Sequence, residues 1–252
     1  IVLFNNVKIK KMPSQLYQTT RKETLSACMA AVQQIAPTIE KYKNASEKAR
    51  TLAPQVVTAL RDSGLVKMKS PREVGGAEIH PVDQMEVIEA MTMLDSAAAW
   101  TLFVAATVTG RTLTVLSDEA LTQLLKDDQF PIIAGSLKPS GSAMPVDGGY
   151  QISGQWAWGS GVDHADYVRV PVFLADKSAV ISAVVPRQQV DVQDNWHSLG
   201  LNGSGSADYV LNDVFVPQHF VSTDGHRYRG GAIYRTGYGF ASNEHAIFAY
   251  AL

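Results

Sequence analysis

The stretch 154-GQWAWGSGVDHADY-167 decides how this chain is read. It holds two Trp two residues apart, two Gly around a Ser, and His164 between Asp163 and Asp166. With the residues before it, 148-GGYQISGQWAWGSG-161, it alternates with period two, the mark of a β-strand. On such a strand Trp156, Trp158 and Ser160 fall on one face.

Working outward, the same texture covers 131-PIIAGSL-137, 166-DYVRVPVFLA-175, 179-AVISAVVP-186 and 208-DYVLNDVFVP-217. Short strands at close intervals predict an antiparallel β domain over 129–225, a barrel or a sandwich. Asp147-Gly148-Gly149 predicts a hairpin between 143-AMPV-146 and 150-YQISGQW-156.

Residues 23–128 read as a bundle of about five helices. The segment 46-SEKARTLAPQVVTALRDSG-64 predicts one helix, capped by Ser46, with Leu52, Val56, Ala59 and Leu60 on its apolar stripe and a stop at Gly64. The loop 71-PREVGGAEIHP-81 leads into a helix over 81–94, with Met85, Ile88 and Met91 in register. Asp95-Ser96 caps an apolar helix over 97–113, and Ser117 opens another over 117–128. Residues 1–22 read as a tail or tag outside the fold. Residues 226–252 read as the start of a second helical domain, and 240-FASNEHAIFAYAL-252 stops mid-pattern, so further helices are expected to follow. The fold class expected is α+β and multidomain.

Bulk properties narrow the function. The chain has 252 residues, 46% hydrophobic and 18% charged, with a net charge of −2. That balance points to neither nucleic acid nor an anionic membrane as partner. No apolar run reaches membrane-spanning length; 97-AAAWTLFVAATV-108 reads as a buried helix. The single cysteine, Cys28, reads as a core thiol, in keeping with a reducing, cytoplasmic setting.

Motifs exclude several chemistries. No two of the six histidines stand at metal-binding spacing on a helix, so no metal site is expected. The stretch 200-GLNGSGSADY-209 lacks the strand and helix that a dinucleotide fingerprint needs, and 159-GSG-161 is too short for a nucleophile elbow. What 156-WAWGSG-161 does supply suits a flavin: aromatic faces, glycines that admit backbone, and a hydroxyl. Read structurally, the same Trp pair is ordinary strand packing.

The order of segments tips the balance. A helical bundle with 73-EVGGAEIHP-81, then 95-DSAAAW-100, 135-GSLKPSGSA-143, 158-WGS-160 and 199-LGLNGSGSADYVLNDVFVP-217 resembles the acyl-CoA dehydrogenase superfamily. Lys138 stands where a dehydrogenase usually has Glu, and Asn202 where it often has Arg. The run PVDGGYQISGQWAWGSGVDHADY is more similar to the two-component flavin monooxygenases of that fold, which hydroxylate phenols and related aromatics. The resemblance implies FMN or FAD supplied in reduced form by a separate reductase, a small-molecule substrate, and a cytoplasmic homotetramer. It implies flavin contacts from Gly135, Ser136, Leu137, Trp158, Gly159 and Ser160, with Ala134 bordering the ring and Trp100 and Ser142 toward the substrate. Ser160 and His164 are the candidate catalytic residues, although 163-DHAD-166 also reads as a plain turn. A dehydrogenase-like FAD enzyme and a catalytically inactive homologue are the rival readings.

Overall fold

The computed structural model describes residues 14–126, 130–223 and 227–235. Five helices come first: α1 (Ser14–Ala49), α2 (Pro54–Asp62), α3 (Pro81–Leu94), α4 (Ser96–Val115) and α5 (Asp118–Leu124). Helix α1 begins inside the stretch read as a tail, and Arg21 forms an ion pair with Asp83 of α3, with Nε–Oδ2 at 2.7 Å. The boundary at residue 22 therefore falls inside the fold.

The single helix expected over 46–64 is two. Helix α1 runs to Ala49, Arg50 turns at φ +60, and α2 starts at Pro54. The cause is Pro54, which disfavours helical backbone at the residue before it. Ala53 is accordingly extended, at ψ 142. Ser46 still caps, but across the break: its Oγ accepts the Ala53 N–H at 2.9 Å. The apolar stripe survives, with Leu52, Val56 and Leu60 all in the core.

The later caps fall where the sequence places them. Asp95 accepts the Ala98 N–H at 3.0 Å and Ser117 the Ala120 N–H at 3.3 Å. Helix α4 is buried on nearly all sides, as its unbroken apolar composition requires. No helix among the described residues is long and apolar enough to cross a membrane. Cys28 sits in the helical core, where burial, with a smaller push from Asp83, raises its thiol to about 11.

Eight strands follow: β1 (Ile133–Gly135), β2 (Ser142–Val146), β3 (Gly149–Trp156), β4 (Tyr167–Leu174), β5 (Val180–Pro186), β6 (Asp191–Val192), β7 (Tyr209–Pro217) and β8 (Val221–Ser222). They form one sheet in the order β6-β7-β3-β2-β4-β5-β8, with β1 also on β4. The sheet is mostly antiparallel; β1 and the start of β2 run parallel to β4. Its path ends at β6 and β8, so among the described residues it is an open sheet and not a closed barrel. The Asp147-Gly148 hairpin joins β2 to β3 as expected, with Val146 opposite Gly149. Inward residues of β3, β4, β5 and β7, including Ile152, Trp156, Val170, Ile181 and Leu211, make a second core.

A short helix, α6 (Ala232–Arg235), ends the described chain. The segment leading to it docks on the glycine loop: Glu78 accepts the Gly231 N–H at 2.6 Å and Glu73 the Gly230 N–H at 3.2 Å. In that loop a Cβ on Gly76 would stand 2.0 Å from the Ser70 carbonyl oxygen, so only glycine fits. The apolar run expected to open a helical domain, 240–252, lies outside the described residues.

Trp156 is 1% exposed and stacks on Tyr209 at 5.8 Å between ring centroids. Its Nε1 donates to the Pro171 carbonyl at 2.8 Å, tying β3 to β4. Trp156→Ala is expected to destabilise the protein by about 3–5 kcal/mol, and Trp156→Phe by less. Denaturant titrations of both variants check this; near-equal, small losses would show that the ring is not the β core's main filler.

Candidate flavin site at the helix–sheet junction

The strand that carries the opening stretch stops at Trp156. The next residues cannot continue it, because they bond to the loop before β7. Gly159 N–H donates to the Ala207 carbonyl at 2.8 Å, and Gly161 N–H to the Ser204 carbonyl at 3.0 Å. Gly159 lies against the Tyr209 ring so closely that a Cβ would stand 2.7 Å from Cδ1. Trp158, just before Gly159, takes φ +60.

This corrects the expectation that Trp156, Trp158 and Ser160 share one strand face. Trp156 is core packing, as the structural reading had it, whereas Trp158 is 74% exposed with its N–H held by Asp208 Oδ1 at 3.2 Å. Ser160 points the other way, into the junction with α4. Trp100 Nε1 donates to Ser160 Oγ at 2.8 Å, so two residues expected in separate roles meet directly. Gly161 completes the contact: at φ +70, a Cβ there would stand 2.8 Å from Thr101 Cγ2.

Ser160 Oγ has a second partner, Ser206 Oγ at 2.7 Å, which in turn lies 2.7 Å from Ser204 Oγ. All three serines are buried. Sequence reading named the segment 203-GSGSAD-208 but gave no role to its serines; their period-two spacing was the available signal.

The other expected contacts lie at the ends of β1 and β2. Gly135, at φ +158, faces Arg169 of β4, where a Cβ would stand 2.3 Å from the carbonyl oxygen. Ser136 Oγ accepts the Lys138 N–H at 3.3 Å, Leu137 is 49% exposed, and Ala134 is buried. Tyr209 links this segment to Gly159. Its buried hydroxyl lies by the Ser136 backbone amide without completing a hydrogen bond, and burial raises its pKa. Ser142 opens β2 opposite Ser153, and no hydrogen bond among the described residues joins it to the Trp100–Ser160 pair.

His164 ends a tight turn over Val162–His164, in keeping with the turn reading of 163-DHAD-166. Asp163 pairs with Arg187 at 3.2 Å. Asp166 pairs with Arg61 at 2.9 Å and accepts the Ile132 N–H at 2.8 Å. The His164 Nε2 is hydrogen-bonded to Thr51 Oγ1 at 2.8 Å, where the chain breaks between α1 and α2. Beside it, Leu60, Thr101, Leu102, Ile132 and Ser160 enclose about 20 Å³ of free space, room for about one water. No group of three or more potential metal ligands occurs among the described residues.

Burial lowers the His164 pKa, and the Arg187 charge adds to this against Asp163. A histidine depressed in the folded state is protonated more readily when unfolded. Its contribution to stability is intact above about pH 6.5, the ordinary imidazole value, and is lost as pH falls toward the lower folded pKa. The melting temperature is therefore expected to fall between pH 7 and 5.5, with a flatter profile in His164→Gln. His80, also depressed by burial, titrates in both proteins and cancels. Equal slopes would show that His164 is not the group responsible.

Residues 21–125 match the family model for the acyl-CoA dehydrogenase N-terminal domain. The chain is 31% identical over 194 residues to the flavin-dependent monooxygenase oxygenase subunit HsaA of Mycobacterium tuberculosis, covering 76% of this chain and 49% of that one. It is 33% identical over 200 residues to the FADH(2)-dependent resorcinol hydroxylase oxygenase component of a Rhizobium species, covering 75% and 48%. The chain thus spans about half the length of the curated relatives it matches. Among solved structures, HsaA of M. tuberculosis superposes with a TM-score of 0.71 at 30% identity, over 79% of this chain and 53% of that one. XiaF from a Streptomyces species, in complex with FADH2 and glycerol, shares the fold with a TM-score of 0.76 at 24% identity, over 84% and 54%. Residues 21–125 thus match the acyl-CoA dehydrogenase N-terminal domain, in a chain similar to proteins named as flavin-dependent monooxygenases and sharing, over 79% of its length, the fold of a solved one.

Proposed function

We propose that the protein is the oxygenase component of a two-component flavin-dependent monooxygenase. It takes reduced FMN or FAD from a separate reductase and, with O2, oxygenates a small aromatic or heterocyclic substrate. The observation that carries this reading is the meeting of Trp100 and Ser160 at 2.8 Å, where an apolar helix closes over a glycine-flanked hydroxyl. The relatives' names support the same chemistry. The reading extends to a cytoplasmic homotetramer, by the resemblance alone.

The residues fit a flavin. Trp158 and Leu137 offer exposed apolar surface for a flat ring, while Gly135 and Gly159 let the backbone pack against Arg169 and Tyr209 behind it. By the resemblance, the inward-facing Ser160 hydroxyl is assigned to the ring edge, with Ser136 a second hydroxyl on the neighbouring segment. Bound reduced flavin would supply the electrons that activate O2. The chain's part is to hold that ring and keep water out, and the apolar face of α4 with Trp100 does the second. Trp100 is 5.7 Å from Phe103 between ring centroids, an aromatic wall suited to an aromatic substrate. His164 is assigned to fixing the turn on Thr51 and not to proton transfer, because its Nε2 is engaged and its cavity holds about one water.

The full-length protein tests this. With a flavin reductase, NADH and O2, a phenolic substrate is expected to be hydroxylated; reduction of bound flavin by acyl-CoA thioesters without a reductase would establish the dehydrogenase instead. Absence of flavin binding in either redox state would leave the inactive homologue. Besides its bonds to Trp100 and Ser206, Ser160→Ala removes the bond to the flavin, worth about 0.5–1.5 kcal/mol, or up to about 3 if the flavin is anionic. Product formed per flavin oxidised is then expected to fall by a few-fold to about a hundredfold, with more H2O2 released. Unchanged coupling would remove Ser160 from the flavin edge.

A further inference from the structure

We propose that Ser206, backed by Ser204, is a positioning residue that sets whether Ser160 gives or takes a hydrogen bond at the flavin edge. The inference rests on the flavin reading above and deepens it. A serine hydroxyl has one proton and two lone pairs. At Ser160 one lone pair is committed, because an indole N–H can only donate and Trp100 Nε1 lies 2.8 Å away. Ser206 Oγ, at 2.7 Å, takes a second place. One place is left, and its sign depends on Ser206.

If Ser206 donates to Ser160, the place left is the Ser160 proton. If Ser160 donates to Ser206, the place left is a lone pair. Ser206 can do either, because Ser204 Oγ stands behind it at 2.7 Å as donor or acceptor. The two directions match the two states of a flavin. Oxidised flavin presents a bare ring nitrogen, N5, which accepts; reduced flavin carries N5–H, which donates. Reversing the serine chain lets Ser160 meet either state with its proton and both lone pairs used. In the direction that suits reduced flavin, the uncommitted proton is moved to Ser204, at the far end of the chain.

The backbone holds this chain in register. Gly161 N–H to the Ser204 carbonyl and Gly159 N–H to the Ala207 carbonyl fasten the two turns together. The 201–205 turn is itself pinned to α1, with Gly203 N–H donating to Glu47 Oε2 at 3.1 Å and Asn202 Nδ2 to the Glu47 carbonyl at 2.9 Å. Leu201 and Gly205 both take left-handed backbone, at φ 56 and 55, folding the turn so that two serines two apart reach one line.

The test is flavin affinity in both redox states, measured on the full-length protein with FMN and FAD as probes. Oxidised flavin is titrated by fluorescence quenching and reduced flavin anaerobically. In Ser206→Ala, Ser160 still donates to oxidised flavin, so that affinity is expected to stay within about twofold. With reduced flavin the Ser160 proton has no acceptor, and affinity is expected to fall about tenfold. That selective loss moves the two-electron midpoint potential of the bound flavin down by about 30 mV. In a Ser160→Ala background the same substitution is expected to change neither affinity, as a double-mutant cycle reads directly. If Ser206→Ala does not fold, Ser206→Cys, a weak donor and weak acceptor, is expected to shift the ratio the same way by less.

Equal losses for both redox states would show a merely structural role and overturn the proposal, as would no change in either. A selective loss that persists without Ser160 would overturn it too. Failure of the unmodified protein to bind either flavin state would instead overturn the flavin reading, and the serine chain's role with it.

Discussion

The site depends on a single close approach, that of Gly159 to the Tyr209 ring. A Cβ at 2.7 Å from the ring cannot be accommodated, because Tyr209 is itself locked against Trp156 in the β core. Gly159 N–H is fixed on Ala207 at the same time. The strand must therefore end at Trp156 and turn. That turn sends Trp158 outward and Ser160 inward. Had the strand continued, the hydroxyl would have lain on the same face as Trp156, in the sheet's own core.

The consequences spread from there. Gly161, the next glycine, sits over Thr101, and Trp100 beside it reaches Ser160. Around Ser160 the helical layer meets the sheet through Gly161 and hydroxyls, whereas farther along Leu113, Leu116 and Leu121 pack on Val184 of β5. The surrounding ion pairs do the holding: Arg61 with Asp166, Arg187 with Asp163, and the His164–Thr51 bond. The Arg61 and Thr51 contacts span more than a hundred residues of sequence. Leu60, Leu102 and Ile132 leave a space of about 20 Å³ beside Ser160.

The sequence made the architecture legible because period two and helical stripes each point one way. It misjudged the details wherever a single residue overrode a pattern. Pro54 broke a helix whose apolar stripe ran straight through it. Gly159 ended a strand whose alternation continued for two more pairs. The site was legible as a neighbourhood: Trp100 and Ser160 were both named, but their mutual hydrogen bond was not. Ser204 and Ser206 offered only their period-two spacing, and Thr51 and Tyr209 carried no signal as site residues, because the partners that matter lie far away in sequence, 46 positions for Ser206 and 113 for Thr51.

That separation explains why the Ser160 environment is built from three segments. A hydroxyl whose proton must point in a chosen direction needs its other positions filled by groups of known sign. Trp100 fills one with certainty, since an indole cannot accept. It comes from a helix, whose backbone is already satisfied and so gives a fixed platform. Ser206 fills the other with a partner of either sign, and it comes from a turn rich in small residues, which lets two hydroxyls approach to 2.7 Å. Buried polar chains of this kind are stable only when each member is satisfied. A ligand of defined polarity at Ser160 is what would settle the direction of this one, so the chain's order and the ligand's redox state become one equilibrium.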